Sequence, residues 1–209
     1  MDTAQDTIKL LLKLNLFVMF CIGAYHRWQA HKGGDKFDRR LEGPVMIYIR
    51  LAGLGIAIAV WAAFTSQEWH APFTFSASLI INWAGLVLTV MATTWLSWMF
   101  RSLGANITDT VETRASAKFV NQGPYHYVRN PMYVGILALT IGLGLALNSW
   151  LVPITGTIIF TLLAIRTRTE ERFLVARFGE TYEVYMRNVP RFFPGFPGFL
   201  GAKPTPKMP

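Results

Sequence analysis

Apolar residues along the chain gather into five runs, at 10–25, 45–64, 79–100, 131–147 and 151–165, with charged residues concentrated between them. The third run is the most uniform. None shows the period-two alternation of membrane barrel strands, and backbone groups in hydrocarbon must be paired within their own segment, so each run predicts a helix. At about 1.5 Å per residue, a hydrocarbon core of roughly 30 Å needs about 20 residues. The fifth run falls short of that, so its helix is expected to continue into the polar sequence after it. Only Asn148, Ser149 and Trp150 separate the last two runs, which forces a tight helical hairpin. Lys9 and Lys13, in or beside the first run, must snorkel. The expected fold is all-α, an integral membrane bundle of about five transmembrane helices with a helical hairpin and cytosolic C-terminal helices. It is read as a single domain over 1–209, with three spans in 1–100, a motif-bearing region at 101–194 and an irregular tail, rich in Pro and Gly, at 195–209.

Composition agrees with the bilayer as solvent: 52% of residues are hydrophobic, 15% are charged, and the mean hydropathy is +0.33. The net charge of +8 excludes little by itself, but a nucleic-acid-binding domain would collect its charge on one soluble face with interleaved aromatics. Here the basic residues fall between apolar runs and on alternate sides. Arg27, Lys32, Lys36, Arg39 and Arg40 follow the first run, none lies in 65–78, and Arg101, Arg114, Lys118 and Arg129 follow the third. The hairpin turn has none, and Arg166, Arg168, Arg172, Arg177, Arg187 and Arg191 follow the fifth. The positive-inside rule then puts the N-terminus outside and the C-terminus in the cytosol, with a bacterial cytoplasmic membrane as the expected setting. The first run lacks a small-residue cleavage site after it and reads as a retained span. Cys21 is the single cysteine, and His26, His31 and His70 show no ligand spacing, so neither a disulfide framework nor a metal site is expected.

Two segments flank the hairpin on the cytosolic side and carry candidate chemistry. The first, GPYHYVRNPMYVG at 123–135, opens with a turn at Gly123 and Pro124; Asn130 is held off helical geometry by Pro131, which starts the fourth helix. Unpaired amides at such a helix start can hold a carboxylate or ribose oxygen. The second, RTRTEERFLVARFGETYEVYMRNVPRFFP at 166–194, repeats Arg166, Glu170, Leu174 and Phe178 at a spacing of four, one stripe of a helix leaving the membrane. Glu170 and Glu171 lie at its cytosolic lip, where a carboxylate pair can face an ammonium and ribose hydroxyls. Phe178 and Gly179 end that helix, and Tyr182, Tyr185 and Pro190 predict a second short helix folded back over the site.

These paired segments resemble the isoprenylcysteine carboxyl methyltransferase and phospholipid methyltransferase superfamily over roughly 101–194: Arg-x-Pro-x-Tyr-x-Gly, then Glu-Glu with Phe-Gly-x-x-Tyr-x-x-Tyr, separated by a hairpin. The resemblance implies an integral membrane enzyme that uses S-adenosyl-L-methionine. Its pocket for that donor would be formed by Gly123, Tyr125, Val128, Arg129, Asn130, Pro131, Tyr133 and Gly135 together with Glu170 and Glu171, with a lipophilic acceptor entering from the bilayer. Arg129 and Asn130 are the expected catalytic positions, Arg129 by orienting the acceptor. Gly135, one turn into the fourth helix, is expected to let that helix approach a neighbour or the donor closely. Two departures stand out. Asn130 replaces the family's usual His between Arg and Pro, and an amide cannot titrate near neutral pH, so it can bind but not accept a proton. Leu103 and Gly104 are followed by Ile107 and Thr108 rather than by Trp or Phe and Ser.

Blander roles exist for the same residues. The glutamates can be solvated helix charges paired with Arg166, Arg168 or Arg172, and Arg129 can anchor on lipid phosphate. Trp95, Trp98, Tyr125 and Tyr127 can form an interface belt, His126 can be a plain loop residue, and Arg50 and Asn82 can snorkel or bridge helices. Without a histidine at 130, the expected acceptor is an isoprenylcysteine-type carboxylate or a thiolate rather than a phospholipid amine. The rival readings are that amine methyltransferase, an NADPH-binding reductase of the sterol type with similar C-terminal elements, and a scaffold or small transporter.

Overall fold

The structure is a computed structural model that describes residues 2–32, 45–65, 68–103 and 119–193. The expectations for Lys36, Arg39 and Arg40, for Ile107 and Thr108, and for the tail beyond Phe193 lie outside these residues. Every apolar run is helical: α1 (Asp2–Lys32), α2 (Val45–Thr65), α3 (Leu79–Leu103), α4 (Pro131–Ala146) and α5 (Leu151–Phe178), followed by the short α6 (Glu180–Asn188). α1, α2, α3 and α5 are long and apolar enough to cross a membrane. α4 has 16 residues and is shorter, about 24 Å at the usual helical rise. It still runs the depth of the bundle, from Trp95 of α3, whose indole Nε1 donates to Pro131 O at 2.9 Å, to Asn82, whose Nδ2 donates to Leu145 O at 2.9 Å. α5 continues through the polar stripe for 28 residues, as the shortness of its apolar part predicts.

α3 and α4 touch along their backbones because small residues face one another. A Cβ on Gly85 would collide with Ala146 N and come 2.7 Å from Gly142 O, and one on Gly142 would meet Thr89 N at 2.8 Å. Lipid gives helices no hydrophobic reason to associate, so such close backbone approach and the hydrogen bonds below hold the bundle. α1 lies along the other side of α3, with Thr93 Oγ1 donating to Asn15 Oδ1 at 2.8 Å, and α2 covers α5 through Ile49, Ile56, Ile159 and Leu163. Outward-facing Phe17, Phe20, Leu54, Trp61, Ile80 and Met91 are more than 50% or nearly half exposed within the chain, as lipid-facing side chains are. Lys13, expected to snorkel, lies over the Phe64 ring at 5.7 Å, beside the end of α2.

The two ends of the bundle differ. At the hairpin end a 3-10 turn (Glu68–Phe73) clamps the α4–α5 connection: Trp150 N donates to Phe73 O at 2.8 Å, Phe75 N to Asn148 O at 3.1 Å, and His70 Nε2 lies 2.8 Å from Ser149 Oγ. Asn148 takes the left-handed φ of 54° that the tight turn requires, and Asn82 Nδ2 reaches its Oδ1 at 2.6 Å. Asn82 is therefore a bridge that satisfies the carbonyls ending α4, the blander of its two expected roles. At the opposite end lie the C-termini of α1, α3 and α5, the start of α4, and α6.

Candidate active site

Gly179, with φ 57°, ends α5 and turns the chain into α6, whose Tyr182, Tyr185 and Val189 pack against Leu174, Val175, Phe178 and Phe119. This is the fold-back that the Phe-Gly and the two tyrosines predict. The chain then returns over the start of α4 as a strap. Arg129 N donates to Pro190 O at 2.9 Å and Asn130 N to Arg191 O at 3.1 Å, while Asn130 Nδ2 donates to Arg191 O at 3.2 Å. The expectation of unpaired amides is corrected here: those of Arg129 and Asn130 are taken by the strap, and so is the Asn130 side chain. Phe192 continues the strap against Phe160, ring centroids 5.2 Å apart, and Tyr133 at 6.3 Å.

Beneath the strap the two motif segments meet. Glu171, buried, takes Arg129 Nη1 at 3.0 Å on Oε1 and Arg191 on both oxygens, Nε at 3.2 Å and Nη2 at 2.5 Å. Glu170, one residue earlier on α5, accepts from Tyr133 Oη at 2.8 Å and faces Arg166 Nε at 3.1 Å, an ion pair rather than an aligned hydrogen bond. Three guanidiniums and two carboxylates thus lie together with a net charge of +1. Arg129 Nε is buried and has no hydrogen-bond partner among the described residues. A buried donor left unmatched costs about 1–3 kcal/mol, so this cluster is one acceptor oxygen short. A groove of about 480 Å³ opens beside Glu171 and Arg191 against Val175, Ala176 and Met186.

The other predicted residues flank this cluster. Gly123, at φ 63°, allows the 3-10 turn Gly123–His126 to lie on Ser102 and Trp98 of α3, leaving no room for a Cβ. Val128 and Pro131 are buried, and Tyr125 O accepts from Tyr185 Oη at 2.6 Å. Gly135 faces away from the glutamates: a Cβ there would lie 2.5 Å from Leu96 Cδ2, so this glycine lets α4 lie on α3. Burial raises the Tyr125 phenol, with Glu170 adding to the shift; burial first and Glu171 next push Tyr182 up to about 12, and burial also raises Tyr185. All three hold their protons at neutral pH. The spacing of motifs gave no signal for Arg191, which lies three residues past the last motif tyrosine's helix, nor for Trp95 as the clamp on Pro131; Pro190, breaking the helix just before a basic residue, is the sequence mark of the strap.

Helices that cross a membrane and end in a shared, buried cluster of guanidiniums and carboxylates define an intramembrane protein with a polar site at one end. Residues 80–181 match the phospholipid methyltransferase family. The protein-S-isoprenylcysteine O-methyltransferase of Schizosaccharomyces pombe is 36% identical over 37% of this chain and 34% of its own length. The methanethiol S-methyltransferase of Crocosphaera subtropica is 28% identical over 96% of this chain and 80% of its length. The solved eukaryotic intramembrane Ras methyltransferase, an isoprenylcysteine carboxyl methyltransferase, shares the fold with a TM-score of 0.50 at 20% identity, over 76% of this chain and 54% of that one. This chain spans only about a third of the yeast relative and about half of the solved one. These likenesses all point to the membrane methyltransferases of the phospholipid and isoprenylcysteine families.

Proposed function

We propose that the chain, as one domain, moves a methyl group from S-adenosyl-L-methionine to a lipophilic acceptor that reacts as an anion, at the cytosolic side of the membrane. The observation that carries this reading is the cluster around Glu170 and Glu171, with Arg129 Nε buried and unmatched. Its donor set fits the methyl donor: guanidiniums for a carboxylate, carboxylates for an ammonium and ribose hydroxyls, and the groove along Val175 and Met186 for apolar surface. When bound, S-adenosyl-L-methionine supplies an electrophilic methyl group; the acceptor's bond to carbon forms as the sulfur–carbon bond breaks, and the electron pair returns to sulfur.

The residues of this chain then bind and orient. Glu171 holds Arg129 and Arg191 in place, and Arg129 offers Nε to an anionic oxygen; we assign it the acceptor and assign Glu170 and Glu171 the donor's polar handles. Alignment and exclusion of water do most of the work in such a displacement. Several of the described residues here are poorly suited to remove a proton: Asn130 cannot titrate, Tyr125, Tyr182 and Tyr185 are held neutral by burial, and both glutamates are engaged by arginines. An acceptor already anionic, a carboxylate of the isoprenylcysteine type, meets this condition. A thiolate is the second reading, favoured by the 96% coverage of this chain by a methanethiol S-methyltransferase. The excess of basic residues at the end bearing the cluster supports its placement in the cytosol.

Calorimetric titration of the purified protein with S-adenosylhomocysteine and, separately, with NADPH tests the class of the site. The expected result is saturable heat with the first and none with the second, weakened by Glu171→Gln. Heat from NADPH alone would return the chain to the reductase reading.

A further inference from the structure

α1 and α3 run parallel, pairing Asn15 with Thr93 and, nearer the site end, His26 with Phe100. Between these contacts and just past the second, the two helices flank a groove of about 520 Å³, walled by Cys21, Ile22, His26 and Gln29 of α1 and by Ser97 and Arg101 of α3. It lies on a different face of α3 from the one that Trp95, Trp98 and Ser102 turn to the start of α4 and to Gly123.

The groove's chemistry is graded. Its deeper wall, Cys21 and Ile22, continues into the lipid-facing surface of Phe17 and Phe20. Its mouth carries the Arg101 guanidinium and, among the described residues that line it, no acidic one. His26 is nine-tenths buried there, its ring stacked on Phe100 at 5.7 Å, and its Nδ1 has no hydrogen-bond partner among the described residues. A buried ring nitrogen in that state is costly unless something in the groove meets it. A ligand that is anionic at one end and apolar along its length answers both features.

We propose that this groove binds one anionic phospholipid, its phosphate against Arg101 and the Nδ1–H of His26, and one acyl chain along Cys21 and Ile22. The bound lipid would complete the α1–α3 contact along the groove that the two helices leave between them. The site is independent of the methyl-transfer reading, because neither its residues nor its test involves the donor or acceptor.

The test measures thermal unfolding midpoints in mild detergent with dioleoylphosphatidylglycerol, dioleoylphosphatidylcholine or inorganic phosphate. The anionic phosphatidylglycerol should raise the midpoint saturably, and the other two should not. Arg101→Gln and His26→Phe should each lower apparent affinity about tenfold, as expected for one lost charge-assisted bond. Cys21→Trp, at an exposed position, fills the apolar wall without touching the charges and should do the same. Equal stabilisation by phosphatidylcholine, or undiminished response in Cys21→Trp and Arg101→Gln, would overturn the proposal. Stabilisation by phosphate alone would overturn it too, making the mouth a simple anion site.

Discussion

At Glu171 one carboxylate serves two guanidiniums from different elements, Arg129 before α4 and Arg191 on the strap. Glu171→Gln keeps the shape and removes the charge, leaving both arginines without their counter-ion. Each charge-assisted bond is worth about 1.5–3 kcal/mol, so donor affinity should fall at least about tenfold, with the midpoint of unfolding falling as the strap loosens. Glu170→Gln should weaken donor binding with less loss of stability, because Glu170 is more exposed and the Tyr133 hydroxyl can still donate to the amide oxygen. Arg129 separates the two roles. Arg129→Ala should depress turnover more than donor affinity, and Arg129→Lys should restore only part of it, since a point charge cannot serve Glu171 and a second anion through a planar fork. Titration and single-turnover rates on the same preparations check this division; equal losses in affinity and turnover would reassign Arg129 to the donor.

The scale of elements shows what was legible in the sequence and why. The apolar runs marked all five helices of the bundle, and the position of Phe178 and Gly179 marked the turn into α6, because hydrophobicity and a left-handed backbone are local demands. The cluster of Glu170, Glu171, Arg129 and Tyr133 was legible through motif spacing across the hairpin. The strap was not, since its pairing with Arg129 and Asn130 joins residues about sixty positions apart through backbone atoms that carry no side-chain signature. The close approach at Gly135 was legible too, and of the two partners expected for it, a neighbouring helix or the donor, it is α3 that meets it, through Leu96. Helix contact also sets a prediction. Gly85→Ala would push a methyl group into the backbone of Ala146 and Gly142, atoms that cannot rotate away. It should destabilise the protein by about 1–3 kcal/mol, read as a lower unfolding midpoint in detergent, while Gly53→Ala, with open space around it, should not. Gly135→Leu belongs with Gly85→Ala: it should lower stability and, through the displaced start of α4, donor affinity as well.

Across the whole molecule the two ends differ in polarity, which bears on both the proposed topology and the proposed chemistry. The hairpin end closes on neutral groups, His70, Ser149, Asn82 and Asn148, with burial holding the His70 imidazole below its ordinary value and so neutral. The opposite end holds Arg129, Arg166 and Arg191 beside the glutamates, and Arg101 in the groove between α1 and α3. A reporter fused after Pro209 should therefore be cytosolic and one inserted at Gln67 external; the reverse pattern would turn the bundle over. In that orientation the proposed function would bring the donor from the cytosol and the acceptor through the bilayer, to meet at Arg129. The most direct measurement is transfer of tritium from methyl-labelled S-adenosyl-L-methionine by the purified protein in vesicles. Supplied in turn with a farnesylcysteine carboxylate, a long-chain thiol and phosphatidylethanolamine, the protein should place label in solvent-extractable product from the first or second, and Glu171→Gln and Arg129→Ala should abolish most of it. No labelled product from any of the three, or label confined to phosphatidylethanolamine, would contradict methyl transfer to an anionic lipophilic acceptor.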